Sequence, residues 1–413
     1  MRGILTATAL VAALGIAGPA GAQQTVKIGV LMPLSGNAAS AGQQSKAAME
    51  LAAEIINSPH PGLASLPLGA GAGLPNLKGA KIELVVADNQ GNPSVGQSQA
   101  LRLIQQEKVA ALIGAYQSSV TFAATAVAER YGIPWVVGDS VAGNITGRGF
   151  KFVFRVTPVA KDFAVNYMQF LNDLKKKGHP VNSIAIVYEN TDYGTSIAGS
   201  LRDAAKEAGL TVGADVSYNA NGSDVTAQVL QLKEKKPDAV IFVSYTADSI
   251  LYTKTMKNLD YRPPVIIGDD SGFSDPAFIE NVGAIAQGVI NRSAWDTGKP
   301  GSATAKIDEL FKAKTGHVMD DTSARNMQAF FVLADAINRA GSTAPEAIQK
   351  ALQQTDLKPE QLMMGYKGVK FDATGQNTEA ATYLIQLQGK DYLAVWPEKS
   401  ATAKLIFPYK GWQ

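Results

Sequence analysis

Three hydroxyl side chains, Ser118, Ser119 and Thr121, stand where an apolar segment gives way to a predicted helix. The first turn of a helix has backbone N–H groups without partners. Together with the helix dipole and nearby hydroxyls, these groups form a good site for a carboxylate. Serine is also a preferred N-cap residue, which would be a purely structural use. The residues alone leave both interpretations open, a carboxylate site and an ordinary helix cap.

Signatures of catalysis and of metal binding are missing from the sequence. It contains no G-x-S-x-G, H-E-x-x-H or G-x-x-x-x-G-K-[ST] motif, and the glycines at 69–73 lack dinucleotide-loop spacing. The three histidines, His60, His179 and His317, are far apart, and the chain has no cysteine. Disulfides, thiolate metal sites and thiol nucleophiles are therefore excluded. We predict a protein that is not an enzyme and holds neither a cofactor nor a metal.

Short apolar runs alternate with segments of helical periodicity along the chain. Continuous apolar strands that alternate with helices are typical of parallel sheets covered on both faces. The segments 27–36 and 183–194 both run strand, polar loop, glycine, helix, which indicates two similar units. The predicted fold class is α/β with two lobes. Strands are predicted at 26–32, 82–87, 110–113, 135–137, 184–188, 239–243 and 265–267, and a helix at 43–56.

Three extended segments, at 149–158, 288–295 and 366–372, are candidates for connections between the lobes. The first ends at Pro158, a residue type that begins a helix well but cannot continue a strand. Three connections would form a hinge. The Pro- and Gly-rich stretch 58–79 is predicted to be a surface insertion. The resulting division gives a first lobe of 23–155 plus 291–366 and a second lobe of 156–290 plus 367–413.

The amino-terminal residues have the pattern of a secretory signal peptide. Arg2 precedes an apolar run at 4–16, and small residues at 17–22 offer a cleavage site. The run is shorter than the roughly 20 residues that span a bilayer. We therefore expect residues 1–22 to be removed on export. The balance of 38 basic against 36 acidic residues argues against nucleic acid or an anionic membrane as a partner.

Several short motifs follow the predicted strands, among them LSG at 34–36, GAYQSSVT at 114–121, DYG at 192–194 and GDD at 268–270. In this order and spacing they resemble the periplasmic leucine/isoleucine/valine-binding protein family over essentially the whole exported chain. The resemblance implies a type I periplasmic binding fold, in which two Rossmann-like lobes joined by three crossovers close on a ligand. It also implies a monomeric periplasmic receptor that works with an inner-membrane ABC permease.

The resemblance also implies particular ligand contacts. Ser118 and Thr121 match residues that bind the ligand α-carboxylate, and Asp270 falls where the family carries an acidic residue for the ligand ammonium. Tyr193 and Tyr245 match tyrosines of the second lobe. A purely structural role is the alternative for Asp270, Tyr193 and Tyr245, because a loop Asp is often a turn former and Tyr is commonly half-buried for packing alone.

Two departures from the family pattern affect the expected ligand. The first loop has AASA at 38–41 where many members place an aromatic side chain, which predicts a roomier pocket. The loop after Val137 brings Asp139 and Ser140 to the ligand, and an acid beside a carboxylate site is electrostatically awkward. Asp139 could instead bind an ammonium or point away. We expect an amino acid ligand, branched-chain or larger; the alternatives are a receptor for an aromatic carboxylate, amide or urea, and a ligand-sensing component of a signalling system.

Overall fold

The computed structural model describes residues 25–412, so the predicted signal peptide at 1–22 lies outside the described residues. In chain order the strands are β1 (Thr25–Met32), β2 (Lys81–Asp88), β3 (Ala111–Gly114), β4 (Trp135–Val137), β5 (Val153–Arg155), β6 (Ser183–Glu189), β7 (Thr211–Tyr218), β8 (Ala239–Val243), β9 (Val265–Gly268), β10 (Ile290–Ser293), β11 (Asp356–Leu357), β12 (Val369–Lys370), β13 (Tyr383–Gln388) and β14 (Asp391–Trp396). The helices are α1 (Ala39–Asn57), α2 (Pro93–Gln105), α3 (Ser118–Tyr131), α4 (Ala160–Lys176), α5 (Asp192–Glu207), α6 (Thr226–Lys235), α7 (Thr246–Asn258), α8 (Ser271–Ser274), α9 (Pro276–Val282), α10 (Ala303–Thr315), α11 (Asp321–Ala340) and α12 (Pro345–Gln353).

Two β-sheets form the centres of the two lobes. The first has the order β2-β1-β3-β4-β5 and is parallel throughout. The second has the order β14-β13-β10-β9-β8-β6-β7 and is parallel from β10 to β7. Inner strands such as β3 and β8 are buried along their whole length, because helices cover both faces. The α/β prediction with two lobes is confirmed, and every predicted strand ends within one residue of an observed one.

The edge of the second sheet departs from the parallel pattern. Strand β13 runs antiparallel to β10, and β14 runs antiparallel to β13. A turn at Gly389 and Lys390 joins β13 to β14, and Gly389 has a φ of 70°. So short a turn can join antiparallel strands only, since parallel strands need a long crossover. The expectation of purely parallel sheets was therefore incomplete.

The predicted insertion at 58–79 is packed against the first lobe. It consists of turns and a short 3-10 helix at Pro75–Leu77. Four of its leucines, Leu63, Leu66, Leu74 and Leu77, are buried in the hydrophobic core. The stretch therefore adds apolar area to the lobe and is not a free surface loop.

Backbone pairing joins the first predicted connection, 149–158, to residues that follow the third, 366–372. The N–H of Arg155, at the end of β5, donates to the carbonyl of Gly375 at 2.8 Å. In return the N–H of Asn377 donates to the carbonyl of Arg155 at 2.9 Å. The remaining predicted connection, 288–295, contains β10, which is a strand of the second sheet. This supports a lobe boundary after Ser293, whereas the predicted boundary lies between residues 290 and 291.

Within residues 25–412, no helix is both long enough and apolar enough to cross a bilayer.

Candidate ligand-binding site

A small cavity lies between the two lobes, at the carboxyl ends of strands from both sheets. The loops after β3 and β4 reach it from the first lobe, and those after β8 and β9, with the start of α5, from the second. Ligands of open parallel sheets bind at such strand ends. The cavity is lined by Tyr116, Ser118, Asp139, Ser140, Val141, Tyr193, Tyr245, Asp270 and Arg292. Six predicted site residues are in this set, and Ser119 and Thr121 are not.

Helix α3 begins beside the cavity at Ser118. Its N-cap residue is Gln117, whose side chain makes no capping hydrogen bond, so Ser118 is not the cap. The Ser118 hydroxyl accepts a hydrogen bond of 3.3 Å from the backbone N–H of Ala142, which ties the loop after β4 to the helix. A helix start without a side-chain cap, with its positive dipole end at a cavity, favours an anionic group.

Thr121 links the loops that follow β3 and β4 in the first lobe. Its hydroxyl accepts from the N–H of Ala115 at 3.0 Å and lies 2.6 Å from the Ser140 hydroxyl. The Ser140 hydroxyl donates to the carbonyl of Tyr116 at 2.8 Å. The hydroxyl groups of Thr121 and Ser140 therefore both form hydrogen bonds within the protein. Thr121 positions the site, and direct ligand contact by Thr121 stays a prediction.

Ser119 lines a neighbouring cavity rather than the central one. Tyr245 separates the two, since it contributes to both walls. Ala38, the first residue of the AASA segment, also lines this neighbouring cavity. A pocket enlarged by the small residues at 38–41 stays a prediction.

Three tyrosine rings form one side of the central cavity. The ring of Tyr245 lies between the other two, with centroids 5.7 Å from Tyr116 and 5.2 Å from Tyr193. The Tyr193 hydroxyl donates to a carboxylate oxygen of Asp269 at 2.8 Å, which fixes the ring. Such a wall suits a flat or apolar ligand, because aromatic rings pack favourably at these distances.

The DYG motif places Tyr193 through its glycine. A Cβ on Gly194 would lie 1.8 Å from the carbonyl oxygen of Glu189, so only glycine allows α5 to start this close to β6. The buried Glu189 carboxylate accepts from the N–H groups of Gly194 at 2.6 Å and of Thr191 at 2.7 Å. These bonds hold the first turn of α5, and with it Tyr193, against the strand.

Adjacent acids in the GDD motif have different environments. Asp269 accepts from the hydroxyls of Tyr167 and Tyr193 and from Arg292 Nε at 3.1 Å, and it does not line the cavity. Asp270 lines the cavity and contacts two guanidinium groups, Arg292 at 3.2 Å and Arg325 at a shorter distance. Asp269 is therefore a structural residue, and Asp270 borders the ligand space.

Arg325 joins the two lobes through a buried ion cluster. It lies on α11, which packs on α1 of the first lobe, and only 1% of its side chain is exposed. Its guanidinium lies 2.7 Å from Asp139 and 2.9 Å from Asp321, and it also contacts Asp270 of the second lobe. Ion pairs this deeply buried are strongly coupled to their surroundings.

Burial raises the pKa of Asp139 to about 7. The positive charge of Arg325 opposes this shift, while the negative charge of Asp270 adds to it. Asp139 is thus an acid that changes protonation near neutral pH inside the cavity wall.

Two cavity residues have backbone angles that non-glycine residues rarely adopt. Tyr116 has a φ of 76° and Asp270 a φ of 49°. Such angles cost free energy and persist where surrounding contacts impose them, which is common at functional sites. Each residue lies two positions after the end of an inner strand, β3 or β9.

Sequence reasoning did not identify Tyr116, Val141, Arg292 and Arg325. The two arginines lie within elements that are almost fully buried, β10 and the amino-terminal half of α11. A charged residue inside a buried element is unusual unless it is paired. An arginine within a predicted buried segment was therefore the feature of the sequence that could have pointed to Arg292 and Arg325. In the described part of the chain, no group of His, Cys, Asp and Glu side chains is arranged to hold a metal ion.

A family model described as periplasmic binding protein matches residues 25–391. The chain belongs to the periplasmic binding protein family. Its relatives include Leu/Ile/Val-binding protein homolog 8 of Brucella abortus (strain 2308), which is 33% identical over 392 residues, 92% of this chain and 93% of the relative. The predicted resemblance to the Leu/Ile/Val-binding proteins is thereby confirmed.

Solved structures share the fold. The leucine binding protein LivK of Thermotoga maritima superimposes with a TM-score of 0.76 at 23% identity, covering 91% of this chain and 99% of that one. A solute binding protein of Rhodopseudomonas palustris BisB5, in complex with 3,4-dihydroxy benzoic acid, has a TM-score of 0.74 at 18% identity, covering 89% and 95%. These likenesses support the type I periplasmic binding fold.

Proposed function

We propose that this protein captures a small carboxylate-bearing solute between its lobes and presents it to an inner-membrane ABC permease, without catalysing a reaction. The observation that carries the proposal is the convergence of six sequence-predicted residues on one buried interlobe cavity. Membership of a family of solute-binding proteins supports it. The signal-peptide pattern supports a periplasmic location, and we propose a monomer.

In this proposal the ligand carboxylate binds at the start of α3. Ser118 is 1% exposed and lies at the positive end of a 14-residue helix that has no side-chain cap. A carboxylate at this point would receive hydrogen bonds from the first N–H groups and the Ser118 hydroxyl. Asp139 is on the same wall, and its protonated form, favoured by burial, would relieve the repulsion between the two acids.

Two ligand classes are compatible with this site. An amino acid, branched-chain or larger, follows from the family, of which one structural neighbour is a leucine binding protein. An aromatic carboxylate is favoured by the wall of three tyrosine rings, and another neighbour is in complex with 3,4-dihydroxy benzoic acid. The two classes differ in the group that faces Asp270 and Arg292.

Closure of the lobes over the ligand would change the surface offered to the permease. Contacts between the lobes are already extensive. The Ser40 hydroxyl donates to Asp275 at 2.7 Å, and the Gly143 N–H donates to the Ser196 hydroxyl at 3.1 Å. With the Arg325–Asp270 ion pair, these contacts support an arrangement in which the lobes lie close together around a cavity of about 10 Å³, so the lobes would have to separate to admit a solute.

The proposal is tested by native mass spectrometry of the purified full chain, followed by isothermal titration with the organic acids that it retains or that raise its melting temperature. Bound ligand stabilises the folded state, so a true ligand gives a concentration-dependent shift. Ser118→Ala should weaken binding by about tenfold or more, as expected for lost bonds to a charged group. Ser119→Ala is the matched control and should bind nearly as wild type. No shift with any carboxylate would refute the proposal.

A further inference from the structure

Resting on the proposed function, we infer that Arg292 binds an oxygen acceptor of the ligand, so that the solute is a hydroxy, oxo or phenolic acid rather than an α-amino acid. Arg292 lies on β10 of the second lobe, lines the cavity and is 1% exposed. The charged and polar groups around Arg292 determine which ligand atom it can bind.

The acid expected to bind a ligand ammonium is already occupied. One carboxylate oxygen of Asp270 contacts both Arg325 and Arg292, and the other lies 3.4 Å from the Ser274 hydroxyl. Asp270 is 1% exposed, so bulk solvent screens these contacts weakly. An ammonium at the oxygen that faces the two arginines would have to displace a guanidinium and leave a buried cation without its partner, which is strongly unfavourable.

The other carboxylates of the cluster also have their own donors. Asp321 accepts from the Ser293 hydroxyl at 2.8 Å and from the N–H groups of Ala294 at 2.7 Å and Trp295 at 3.1 Å, in addition to Arg325. Hydrogen bonds of this kind stabilise a carboxylate charge without a second cation.

Neutral donors serve Asp269 in the same way, through the hydroxyls of Tyr167 and Tyr193. The two guanidiniums are shared among the four acids, Arg292 between Asp269 and Asp270 and Arg325 among Asp139, Asp270 and Asp321. A proton can also neutralise Asp139, whose pKa burial raises to about 7. Every carboxylate of the cluster therefore has a guanidinium or a neutral donor within reach before a ligand binds.

The Tyr245 hydroxyl and an Arg292 nitrogen are both buried at this wall without a hydrogen-bond partner among residues 25–412, and the Arg292 nitrogen is a charged donor. Arg292 Nε bonds to Asp269 at 3.1 Å and one terminal nitrogen to Asp270 at 3.2 Å, while the Nη1 atom is buried with no hydrogen-bond partner among residues 25–412. The guanidinium plane is fixed, since it stacks 3.5 Å from the centroid of the Phe163 ring. A buried donor without a partner is costly, and a ligand oxygen supplies the acceptor that an ammonium cannot.

The test compares ligands that share a skeleton and differ in one group. Isothermal titration of the full chain with phenylalanine, 3-phenyllactate and phenylpyruvate, with leucine and 2-hydroxyisocaproate, and with 4-aminobenzoate and 4-hydroxybenzoate isolates the group that faces Arg292. In each set that binds, we expect the oxygen-bearing acid to bind about 10- to 100-fold more tightly, the range for a hydrogen bond to a charged group. Tighter binding of the amino member of a set would overturn the inference and leave the proposed function standing. Absence of binding by any acid would instead refute the proposed function.

A variant tests the residue itself. Arg292→Lys keeps the positive charge but not the planar set of donors, so the preference for the oxygen-bearing acid should fall to within about twofold. Arg202→Lys is the matched control, because Arg202 is a half-exposed arginine that is likewise paired with an aspartate, Asp215. It should retain the full preference. If a folded Arg292→Lys protein keeps the full preference for the oxygen-bearing acid, Arg292 does not determine ligand selectivity and the inference is wrong. If that variant does not fold, the comparison of ligands on the wild-type protein decides the question.

Discussion

Arg325 is expected to be the most important single charge for the stability of the closed protein. Replacement by methionine keeps an unbranched apolar stem and removes the guanidinium that three carboxylates share. Those acids, Asp139, Asp270 and Asp321, are each no more than 4% exposed, so water cannot replace the lost cation. The folded state of Arg325→Met must therefore hold uncompensated negative charge in its interior.

The size of the effect follows from what each acid retains. Asp270 keeps Arg292 and Asp321 keeps the Ser293 hydroxyl and two backbone N–H groups, while Asp139 has no other ion pair among the described residues. Removal of one partner of a buried pair costs about 3–5 kcal/mol, and we expect this range for Arg325→Met. Below pH 7 Asp139 can take up a proton, so the loss should be smaller at pH 5 than at pH 8.

The measurement is urea unfolding of the ligand-free protein at pH 5 and pH 8, followed by tryptophan fluorescence and circular dichroism. Arg102→Met is the control, because Arg102 forms a surface pair with Glu107 in which each side chain is 33% exposed. Exposed pairs contribute about 0–1 kcal/mol, so this variant should unfold almost as wild type. A loss for Arg325→Met no larger than for the control, or one equal at both pH values, would refute the reasoning.

The remaining predictions concern Asp139 and Gly194. The Asp139 carboxyl has a folded-state pKa of about 7 against its usual 3.8, so its contribution to stability is complete below pH 3.8 and is lost as pH rises through 7. Asp139→Asn should remove this part of the pH dependence, and an unchanged profile in urea unfolding would contradict it. Gly194→Ala should destabilise the protein by about 1–3 kcal/mol and weaken ligand binding, because the new Cβ meets the Glu189 carbonyl and displaces Tyr193. Gly199→Ala in the same helix has open space around the new Cβ and should be neutral or stabilising, so similar effects of the two changes on melting temperature would count against the proposed close approach.

Local patterns were sufficient for much of the fold. The strand at 135–137 is observed with the predicted ends, and the other predicted strands differ by at most one residue at either end. Strand β14 was missed because its burial is only partial and its pairing is antiparallel, so it does not have the continuous apolar pattern of the inner strands.

Candidate site residues were found where loops follow inner strands, since strand ends meet at the same edge of a parallel sheet. The resemblance to the Leu/Ile/Val-binding proteins implied Ser118, Tyr193, Tyr245 and Asp270 as ligand contacts, and all four line one cavity. Strand-end position alone could not separate Asp269 from Asp270, because adjacent residues in a loop differ in direction only once the backbone angles are known. The positive φ of Asp270 belongs to that tertiary information.

The sequence by itself determined the α/β class, the approximate elements and the strand-end loops, because hydrophobic periodicity and glycine-containing turns act over a few residues. Only the tertiary structure decided that Arg292 and Arg325, 33 positions apart in the numbering and on different lobes, meet at Asp270. Their pairing depends on how the two lobes lie against each other, which no local pattern encodes. The charges that the ligand meets were therefore visible only in the folded protein.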